Sequence, residues 1–499
     1  MKILLLLLQS VWLIASTLHL SASSNPARLN PLIATDSASS SIAGFLFNSL
    51  VKYDKSGQKI IGDLAESYRF VTPTLIEFKL RRGVKWHDGR AFSARDVLFT
   101  YNLIKSPATI TPYASDFRVV KSVTLIDEYT LRVAYEKPYF KALEVWMMGI
   151  VPEHVLKNEK DIMGSKFNTH PIGTGPYTLK TFEFSKQIVL EANPTYFEHK
   201  PKIDKIVFHV ISDPMTRFLM LKSAQIDIDG LDPMQYERQL DPQFKGQFAT
   251  LELPSHTYTY LGFNLRLKKF QDPRVREALS LAIDRQALID ILFLKHGRVC
   301  TGPFLPGSKG FNGEIRAPKH NLERAKALLK AAGYDSVHPL EFEIATSNSN
   351  AIRPYAAEIL QRQLLDVGVK VTLRVMEWQA FLNTVVVPRK FDTVLLGWAL
   401  SLTPDPYALW HSKSDVPGGF NLVGYHSQKT DRLIERMESS TDAETIAALQ
   451  RQIFGEIVGD NPYLFLVIPN EINVYSRRIS GIQPTINGIW EEYIDWEKK

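Results

Sequence analysis

Three consecutive segments in the second half of the chain limit its fold most strongly. Leu340–Thr346 has the composition of a strand, Ala356–Val367 has helical spacing and ends at Gly368, and Val369–Val375 alternates apolar and polar residues. Strand, helix and strand in succession predict a parallel sheet, because parallel neighbours need a crossover connection. We therefore expect an α/β domain here.

The length and charge of the chain narrow its class. With 499 residues it exceeds what one hydrophobic core usually supports, so two or three domains are expected. A composition of 45% hydrophobic and 22% charged residues is typical of a globular, soluble protein. The net charge of +6 comes from scattered Lys and Arg residues, which argues against a nucleic-acid partner.

The N-terminus has the pattern of a secretory signal peptide. A positive start at Lys2 precedes apolar residues at 3–8 and 11–15, and small residues follow at 21–24. This pattern predicts a signal peptide over residues 1–23, cut near Ala22 to Ser24. A single membrane anchor is the alternative, although polar residues interrupt the apolar region at Gln9, Ser10, Ser16, Thr17 and His19.

The cysteine content refines the compartment. Cys300 is the only cysteine, which excludes an internal disulfide and a Cys-based metal site. No cysteine follows the predicted signal peptide to carry a lipid, so we expect an exported protein that is free in the periplasm. Cys300 itself is interpreted as a small buried hydrophobe rather than a nucleophile.

The stretch Phe391–Ser412 is the main candidate for ligand contact. Residues 391–398 read as a strand of the predicted sheet, and Pro404 and Pro406 then mark a loop at the strand's carboxyl end, where open α/β sheets bind ligands. The loop combines one carboxylate with three aromatic residues, namely Asp405, Trp398, Tyr407 and Trp410. This composition suits capture of a small amphipathic ligand. A turn packed on the core is the alternative.

Two other polar motifs favour structure over chemistry. Gly173–Tyr177 is too rich in glycine for a regular element, so we interpret it as a turn whose backbone approaches another group closely. His87–Asp88–Gly89 is interpreted as a turn, because no third metal ligand is near in sequence.

The chain lacks the local signatures of a hydrolase. It contains no HExxH, GxSxG or CxxC sequence, and its twelve histidines are dispersed. We therefore expect a protein that is not an enzyme and needs no cofactor and no metal, with a secreted hydrolase as the remote alternative.

Four ordered motifs resemble one known family. They are LAESYRF with LRRGVKWHDG and FSARDV, then PIGTGPYTL, then LGFNLRLKKFQDPRVREALSLAIDR, and finally GW to DPYALWHS. Together they resemble bacterial extracellular solute-binding proteins of family 5, the oligopeptide- and dipeptide-binding receptors of ABC importers. The resemblance spans nearly all of the chain after residue 24.

The resemblance implies a fold that the residues alone do not. It implies a type II, cluster C periplasmic-binding-protein fold with two lobes that close on the ligand and an extra inserted domain. The first lobe would combine residues 24–43, 171–265 and 473–499, the inserted domain would be 44–170, and the second lobe would be 266–472. It also implies a monomer that delivers a small peptide to the membrane permease of an ABC transporter.

The resemblance also implies ligand contacts. Tyr113 in TPYASDF matches the aromatic residue of the inserted domain, and Trp398 matches the Trp beside the bound peptide. Family members place an amine-binding Asp where this chain has Ser401; Asp405 either replaces it or only begins the Asp-Pro turn. Arg353 lies near the Arg that binds the peptide carboxylate in some relatives.

Three further residues complete the expected binding site, namely Tyr407, Thr174 and Gly175. A different solute, such as a metal chelate, haem or sugar, is the alternative ligand. His411 and His426 are the residues that leave a metal chelate as one of these alternatives.

Overall fold

The computed structural model describes residues 16–56, 59–350, 352–400, 404–485 and 488–499. Predictions for residues 1–15 and for Ser401 lie outside these ranges. The strands in the described ranges are β1 Thr17–Ala22, β2 Val51–Tyr53, β3 Ile60–Gly62, β4 Ala65–Thr72, β5 Leu75–Leu80, β6 Val120–Asp127, β7 Thr130–Tyr135, β8 Tyr177–Glu183, β9 Gln187–Ala192, β10 Lys205–Val210, β11 Ile228–Leu231, β12 Phe248–Pro254, β13 Thr257–Phe263, β14 Gly297–Val299, β15 Glu341–Ser347, β16 Lys370–Met376, β17 Thr393–Ala399, β18 Tyr463–Ser476, β19 Ile479–Ser480 and β20 Glu497–Lys498.

Helices cover the faces of these strands. The α-helices are α1 Ser37–Leu46, α2 Ala94–Lys105, α3 Glu153–Leu156, α4 Pro214–Lys222, α5 Pro233–Arg238, α6 Pro242–Gln247, α7 Lys268–Gln271, α8 Pro273–Leu281, α9 Arg285–Leu292, α10 Leu322–Ala331, α11 Ile352–Leu365, α12 Trp378–Phe381, α13 Tyr407–Trp410, α14 Gln428–Glu438 and α15 Ala443–Asp460. Short 3₁₀ segments occur at Pro112–Ser115, Glu144–Met147, Lys166–Asn168, Ser412–Ser414 and Tyr493–Asp495, and a π-helical turn at Leu382–Val386.

Several helices begin with the same Asp-Pro dipeptide. In each of α4, α5, α6 and α8 the Asp side chain accepts a hydrogen bond from a backbone N–H of the first turn, and Pro occupies the first helical position. This arrangement is favourable because Pro lacks the N–H that a helix start leaves unpaired. Asp272 and Pro273 begin α8 in this way.

The second lobe contains the predicted strand, helix and strand. β15 pairs in parallel with β16, and α11 lies between them in sequence and packs on both. β17 pairs in parallel with β15 and antiparallel with β13, so the sheet order is β16, β15, β17, β13, β18. The α/β domain and the strand that leads to Trp398 are therefore confirmed.

The first lobe is built on β8 to β12 together with β1. Its strands follow the order β18, β11, β1, β10, β9, β8, and β12 pairs with the other edge of β18. The long strand β18 belongs to both lobes: residues 463–467 pair with β13, and residues 470–476 pair with β12. Chain crossings between the lobes therefore include a continuous strand.

Strand pairing corrects two of the predicted lobe boundaries. β13 lies within residues 171–265, predicted for the first lobe, yet it hydrogen-bonds to β17 and β18 in the second lobe. The chain thus crosses between β12 and β13, near Ser255 and His256. The return crossing falls near Pro469, inside β18 and before the predicted boundary at 472. The first crossing lies in the two-residue link between β12 and β13 and the second lies inside β18, and the sequence pattern did not reveal either one.

The first strand also corrects the predicted end of the signal peptide. β1 lies inside the predicted range 1–23, but it pairs in parallel with β10 along its whole length and with β11 at Leu20. Leu18 and Leu20 are buried in the core of the first lobe. Removal of residues up to 22 or 23 would take a strand out of the middle of the sheet.

The inserted domain has a small antiparallel sheet. The strand order is β4, β5, β7, β6, and all four strands lie between residues 65 and 135. The inward side chains of β5 alternate with outward ones, and Ser93 and Asp96 form the reciprocal capping box of α2. The turn at His87–Gly89 is also present, with Gly89 at φ +87°.

The described residues contain neither a membrane-spanning helix nor a cluster of metal ligands. None of the helices there is long and apolar enough to cross a membrane. In the same ranges, no group of three or more His, Cys, Asp or Glu side chains is arranged to hold a metal ion.

Candidate functional site

The end of β17 presents Trp398 to the space between the lobes. Its ring stacks on Tyr260, with 6.2 Å between centroids and 8° between planes, and its Nε1 donates to the Tyr463 hydroxyl at 3.3 Å. Phe420 packs edge-on against its other side at 5.3 Å. Core aromatic residues thus fix the orientation of Trp398, as expected for an aromatic wall of a binding site.

Arg353 lies beside this tryptophan. A Cβ atom on Gly397 would lie 2.8 Å from Arg353 Nη2, so glycine at that position admits the guanidinium. Arg353 Nε is buried and has no hydrogen-bond partner, and within the described residues no carboxylate forms an ion pair with this side chain. Burial lowers the pKa of Arg353 to about 10, so the group still carries its charge at neutral pH.

Tyr113 approaches the same cluster from the inserted domain. Thr111 caps the 3₁₀ turn that holds it, and the Tyr113 hydroxyl donates to the carbonyl of Ala34 at 3.4 Å. Its ring meets Phe420 of the second lobe edge-on at 6.4 Å. The rings of Tyr113, Phe420 and Trp398 therefore form a continuous aromatic path across the two lobes.

A cavity of about 360 Å³ lies on the Tyr113 side of this path. It is bounded by α1 and the inserted domain, and Phe47, Met147 and Met148 form its apolar wall. Asp116 and Glu144 provide the carboxylates in the lining. The cavity thus combines apolar walls with negative charge.

Asp116 is the most perturbed acid of this region. Burial is the main cause that raises its pKa to about 6; Lys141 opposes the shift and the nearby Asp405 adds to it. Lys141 also forms an ion pair with Glu144 at 3.4 Å. Asp116, Glu144 and Asp405 thus act on Lys141, and Arg118 also acts on Asp116. Because Arg118 is already paired with Glu438, the cluster keeps an excess of negative charge, which suits a cationic group of a ligand.

Asp405 connects the second lobe to the inserted domain. Its Oδ1 accepts a hydrogen bond from the backbone N–H of Tyr407 at 2.9 Å, as in an Asp-Pro turn. Its Oδ2 accepts a hydrogen bond from the hydroxyl of Tyr139 at 2.8 Å. The turn interpretation is therefore correct, and the same carboxylate also joins the charged cluster around Asp116.

Tyr407 lies behind the cleft surface rather than on it. Its ring is only 7% exposed and is held between the Arg118 guanidinium, 3.3 Å from the ring centroid, and the ring of His411, 4.2 Å away. These neighbours cover both faces of the ring. Tyr407 thus contacts both Arg118 of the inserted domain and His411 of the second lobe.

Thr174 and Gly175 are buried in the first lobe against the end of α1. The Gly175 N–H donates to the carbonyl of Leu46 at 2.9 Å, and the Thr174 hydroxyl donates to Asn48 Oδ1 at 3.2 Å. A Cβ on Gly175 would lie 2.5 Å from the backbone of Leu46. The close backbone approach predicted for this turn is present, and its partner is this helix end.

The remaining histidine and cysteine candidates have protein neighbours. His411 is buried, with Nε2 3.4 Å from Glu435, and His426 Nε2 is 3.0 Å from Asp415. Cys300 is buried, and burial raises its pKa to about 12, which confirms its interpretation as a small core residue.

Sequence reasoning missed Asp116, Phe420 and Arg118. Asp116 follows Tyr113 by three residues in TPYASDF, so its proximity to the aromatic candidate was an available signal. Phe420 and Arg118 carry no local signal, because their importance arises only when the second lobe and the inserted domain meet.

Comparison with known proteins identifies the family. The profile of bacterial extracellular solute-binding proteins, family 5 Middle, matches residues 59–420. Oligopeptide-binding protein AppA of Bacillus subtilis (strain 168) is 30% identical over 476 residues, which cover 91% of this chain and 87% of AppA. Di/tripeptide-binding protein 2 of Pseudomonas aeruginosa (strain UCBPP-PA14) is 28% identical over 465 residues, or 87% of this chain and 86% of that protein.

Solved structures agree with this assignment. AppA from Bacillus subtilis in complex with a nonapeptide has a TM-score of 0.91 and 27% identity, over 97% of this chain and 99% of that chain. NikZ from Campylobacter jejuni in complex with Ni(L-His) has a TM-score of 0.86 and 25% identity, over 97% of this chain and 99% of that chain. The two-lobed type II architecture is confirmed, and the chain belongs to the bacterial extracellular solute-binding proteins of family 5.

Proposed function

We propose that this protein is the receptor of an ABC importer that captures peptides between its two lobes and delivers them to the membrane permease. One observation carries the proposal: the aromatic path from Tyr113 to Trp398 has a carboxylate-rich cavity at one end and, at the other, Arg353, whose Nε has no hydrogen-bond partner among the described residues. A peptide has an ammonium group at one end and a carboxylate at the other. The peptide-bound AppA structure supports the same ligand class.

Arg353 is the proposed partner of the peptide carboxylate. Arg353 Nε is buried without a hydrogen-bond partner among the described residues, and a ligand carboxylate would supply both a countercharge and hydrogen-bond acceptors. Its position beside Trp398 places that contact at the strand end predicted to face the ligand. The aromatic rings then contact the peptide between its charged ends without requiring a particular side chain.

Asp116 is the proposed partner of the peptide ammonium, in place of the Asp that the family pattern leads one to expect at Ser401. Asp405 assists by adding negative charge to the same cluster while its own oxygens hold the turn and Tyr139. An ammonium group that enters the cavity would balance the excess of carboxylates around Lys141. Asp405 thus adds negative charge near the peptide ammonium but does not contact this group directly.

The test of the function is to identify and measure the ligand. Native mass spectrometry of protein purified without denaturation is expected to detect bound peptides. Calorimetry with a defined nonapeptide is expected to give a Kd in the micromolar range or tighter, which corresponds to a binding free energy of about −8 kcal/mol or more favourable. Release of only metal complexes or sugars, together with no heat from a peptide panel, would overturn the proposal.

Acid pH is expected to weaken peptide binding through Asp116. Its pKa of about 6 means that the carboxylate is charged above this pH and neutral below it, so the attraction for a ligand ammonium falls as the pH is lowered through about 6. Calorimetry on either side of this pH would show the slope. Asp116→Asn is expected to bind weakly at both pH values and to lose the slope; an Asn variant with the wild-type pH profile would exclude Asp116 from the ammonium contact.

The same proposal covers location and assembly. We infer a monomer that is exported and free in the periplasm, in keeping with its membership of a family of extracellular solute-binding proteins. Binding and release by lobe closure involve no chemical conversion of the ligand, which agrees with a receptor that is not an enzyme.

A metal chelate is the second candidate ligand. The NikZ structure with Ni(L-His) has the same fold at 25% identity, and the carboxylate of an amino-acid chelator would also suit Arg353. Calorimetry with Ni²⁺ and L-histidine distinguishes the two candidates, because a peptide receptor is expected to give no heat with this mixture.

A further inference from the structure

A charged contact away from the cavity joins the inserted domain to the second lobe. Arg118 follows the 3₁₀ turn that holds Tyr113, and its Nη2 donates to Oε1 of Glu438, the last residue of α14. Arg118 Nη1 donates to the carbonyl of Ser115 at 2.6 Å, so the guanidinium is fixed on its own domain before it reaches across. Neither Arg118 nor Glu438 lines the cavity.

Glu438 depends on this contact for its charge balance. The residue is 1% exposed, and Arg118 is its ion-pair partner among the described residues. Arg118 comes from the inserted domain, so separation of the lobes breaks this pair and returns both groups to solvent. The charge-assisted hydrogen bond between them forms only when the two surfaces meet, and the pair therefore favours the closed arrangement.

The same surface contains two more closed-state contacts. The Arg118 guanidinium lies 3.3 Å from the ring centroid of Tyr407, and the Tyr139 hydroxyl donates to Asp405 at 2.8 Å. Both second-lobe residues belong to the segment from Asp405 to Trp410 that follows the ligand-facing strand. All of these contacts form between the inserted domain and the second lobe.

We propose that Arg118 and Glu438 are positioning residues that hold the closed state and so slow release of the ligand without touching it. This inference rests on the proposed function only for its effect on ligand release. Apparent affinity scales with the fraction of protein in the binding-competent state, and a contact made only on closure raises that fraction. The stacking of Arg118 on Tyr407 adds to the same preference.

The first measurement needs no ligand. Spin labels at Ser67→Cys in the inserted domain and Ala327→Cys in the second lobe report the distance between lobes, and the native Cys300 is buried. We expect Arg118→Gln and Glu438→Gln each to lower the ratio of closed to open molecules by about tenfold, and the double variant to resemble either single variant because the pair acts as a unit. Arg274→Gln removes an exposed ion pair within the second lobe and serves as the control, with no expected change.

The second measurement uses a defined nonapeptide. Both single variants are expected to raise Kd about tenfold, chiefly through faster dissociation, whereas Arg274→Gln keeps the wild-type value. An unchanged distance distribution in both Gln variants, with and without the nonapeptide, would contradict the proposal that Arg118 and Glu438 hold the closed state. If no peptide binds the wild-type protein, the proposed function fails. The distances between the spin labels measured without ligand still show whether Arg118 and Glu438 hold the closed state.

Discussion

Replacing Arg353 with methionine is expected to weaken binding of a peptide with a free carboxyl terminus by about 100-fold, because truncating one partner of a desolvated charge pair typically costs about 2–5 kcal/mol. The same change is expected to leave the free energy of unfolding unchanged or to increase it. Arg353 is half-buried and its Nε is buried without a hydrogen-bond partner among the described residues, so an apolar side chain of similar length removes an unsatisfied polar group. Loss of binding with no loss of stability is the signature of a side chain kept for its ligand.

Calorimetry with a nonapeptide and its carboxyl-terminal amide tests this assignment. Wild-type protein is expected to prefer the free acid, and Arg353→Met is expected to bind acid and amide equally weakly. Arg374→Met is the matched control, since Arg374 already has a carboxylate partner, Glu343 at 2.8 Å; it is expected to lower stability slightly and to leave both affinities unchanged. A persistent preference of Arg353→Met for the free acid would place the carboxylate elsewhere.

Elements with strong periodicity could be predicted from the sequence. β15, α11 and β16 have apolar residues at the spacings of strand and helix, and Gly368 ends the helix at a positive φ of 80°, a conformation that glycine adopts readily. The Asp-Pro start of α8 was equally clear. In these segments local preference and tertiary packing agree.

Partnership between distant segments could not be predicted in the same way. Trp398 and Tyr113 were identified, but Phe420, which connects them, has no motif of its own. A glycine-rich turn predicts that its backbone approaches another group closely, but it does not identify that group. Gly175 is predicted to contact the ligand, and in the structure its N–H donates to a carbonyl at the end of α1. Asp405 was left between two roles because the hydroxyl that binds it, on Tyr139, is 266 residues away in sequence.

The error at the N-terminus has a different physical cause. Leu18 and Leu20 alternate with the more polar Thr17, His19 and Ser21, and this alternation was taken only as a defect in a membrane span. It is also the pattern of a strand with one face in the core. The predicted signal peptide therefore overlaps the first strand. Hydropathy does not show where the strand begins, whereas the pairing of β1 with β10 does.

Shortening the chain is therefore expected to have its largest effect between residues 16 and 24. A chain that starts at Ser16 keeps β1, including the bond from the His19 N–H to Asp227 at 2.8 Å and the bond from Lys498 to the carbonyl of Thr17 at 2.6 Å. A chain that starts at Ser24 loses both leucines from the core and leaves β10 without its parallel neighbour. Two buried leucines and the ladder bonds together amount to about 5 kcal/mol or more, a large part of the stability of a typical domain.

Thermal and urea unfolding of the two chains measure this difference. The chain from Ser16 is expected to unfold cooperatively, and the chain from Ser24 is expected to aggregate or to unfold at much lower urea concentration. Leu20→Asn in the chain from Ser16 should reproduce much of the loss, because Leu20 is 3% exposed, whereas Ser21→Asn, at a half-buried position of the same strand, should change stability little. Sequencing the N-terminus of exported protein gives an independent answer: a mature chain that begins after Ala22 and still unfolds cooperatively would mean that β1 is dispensable to the sheet.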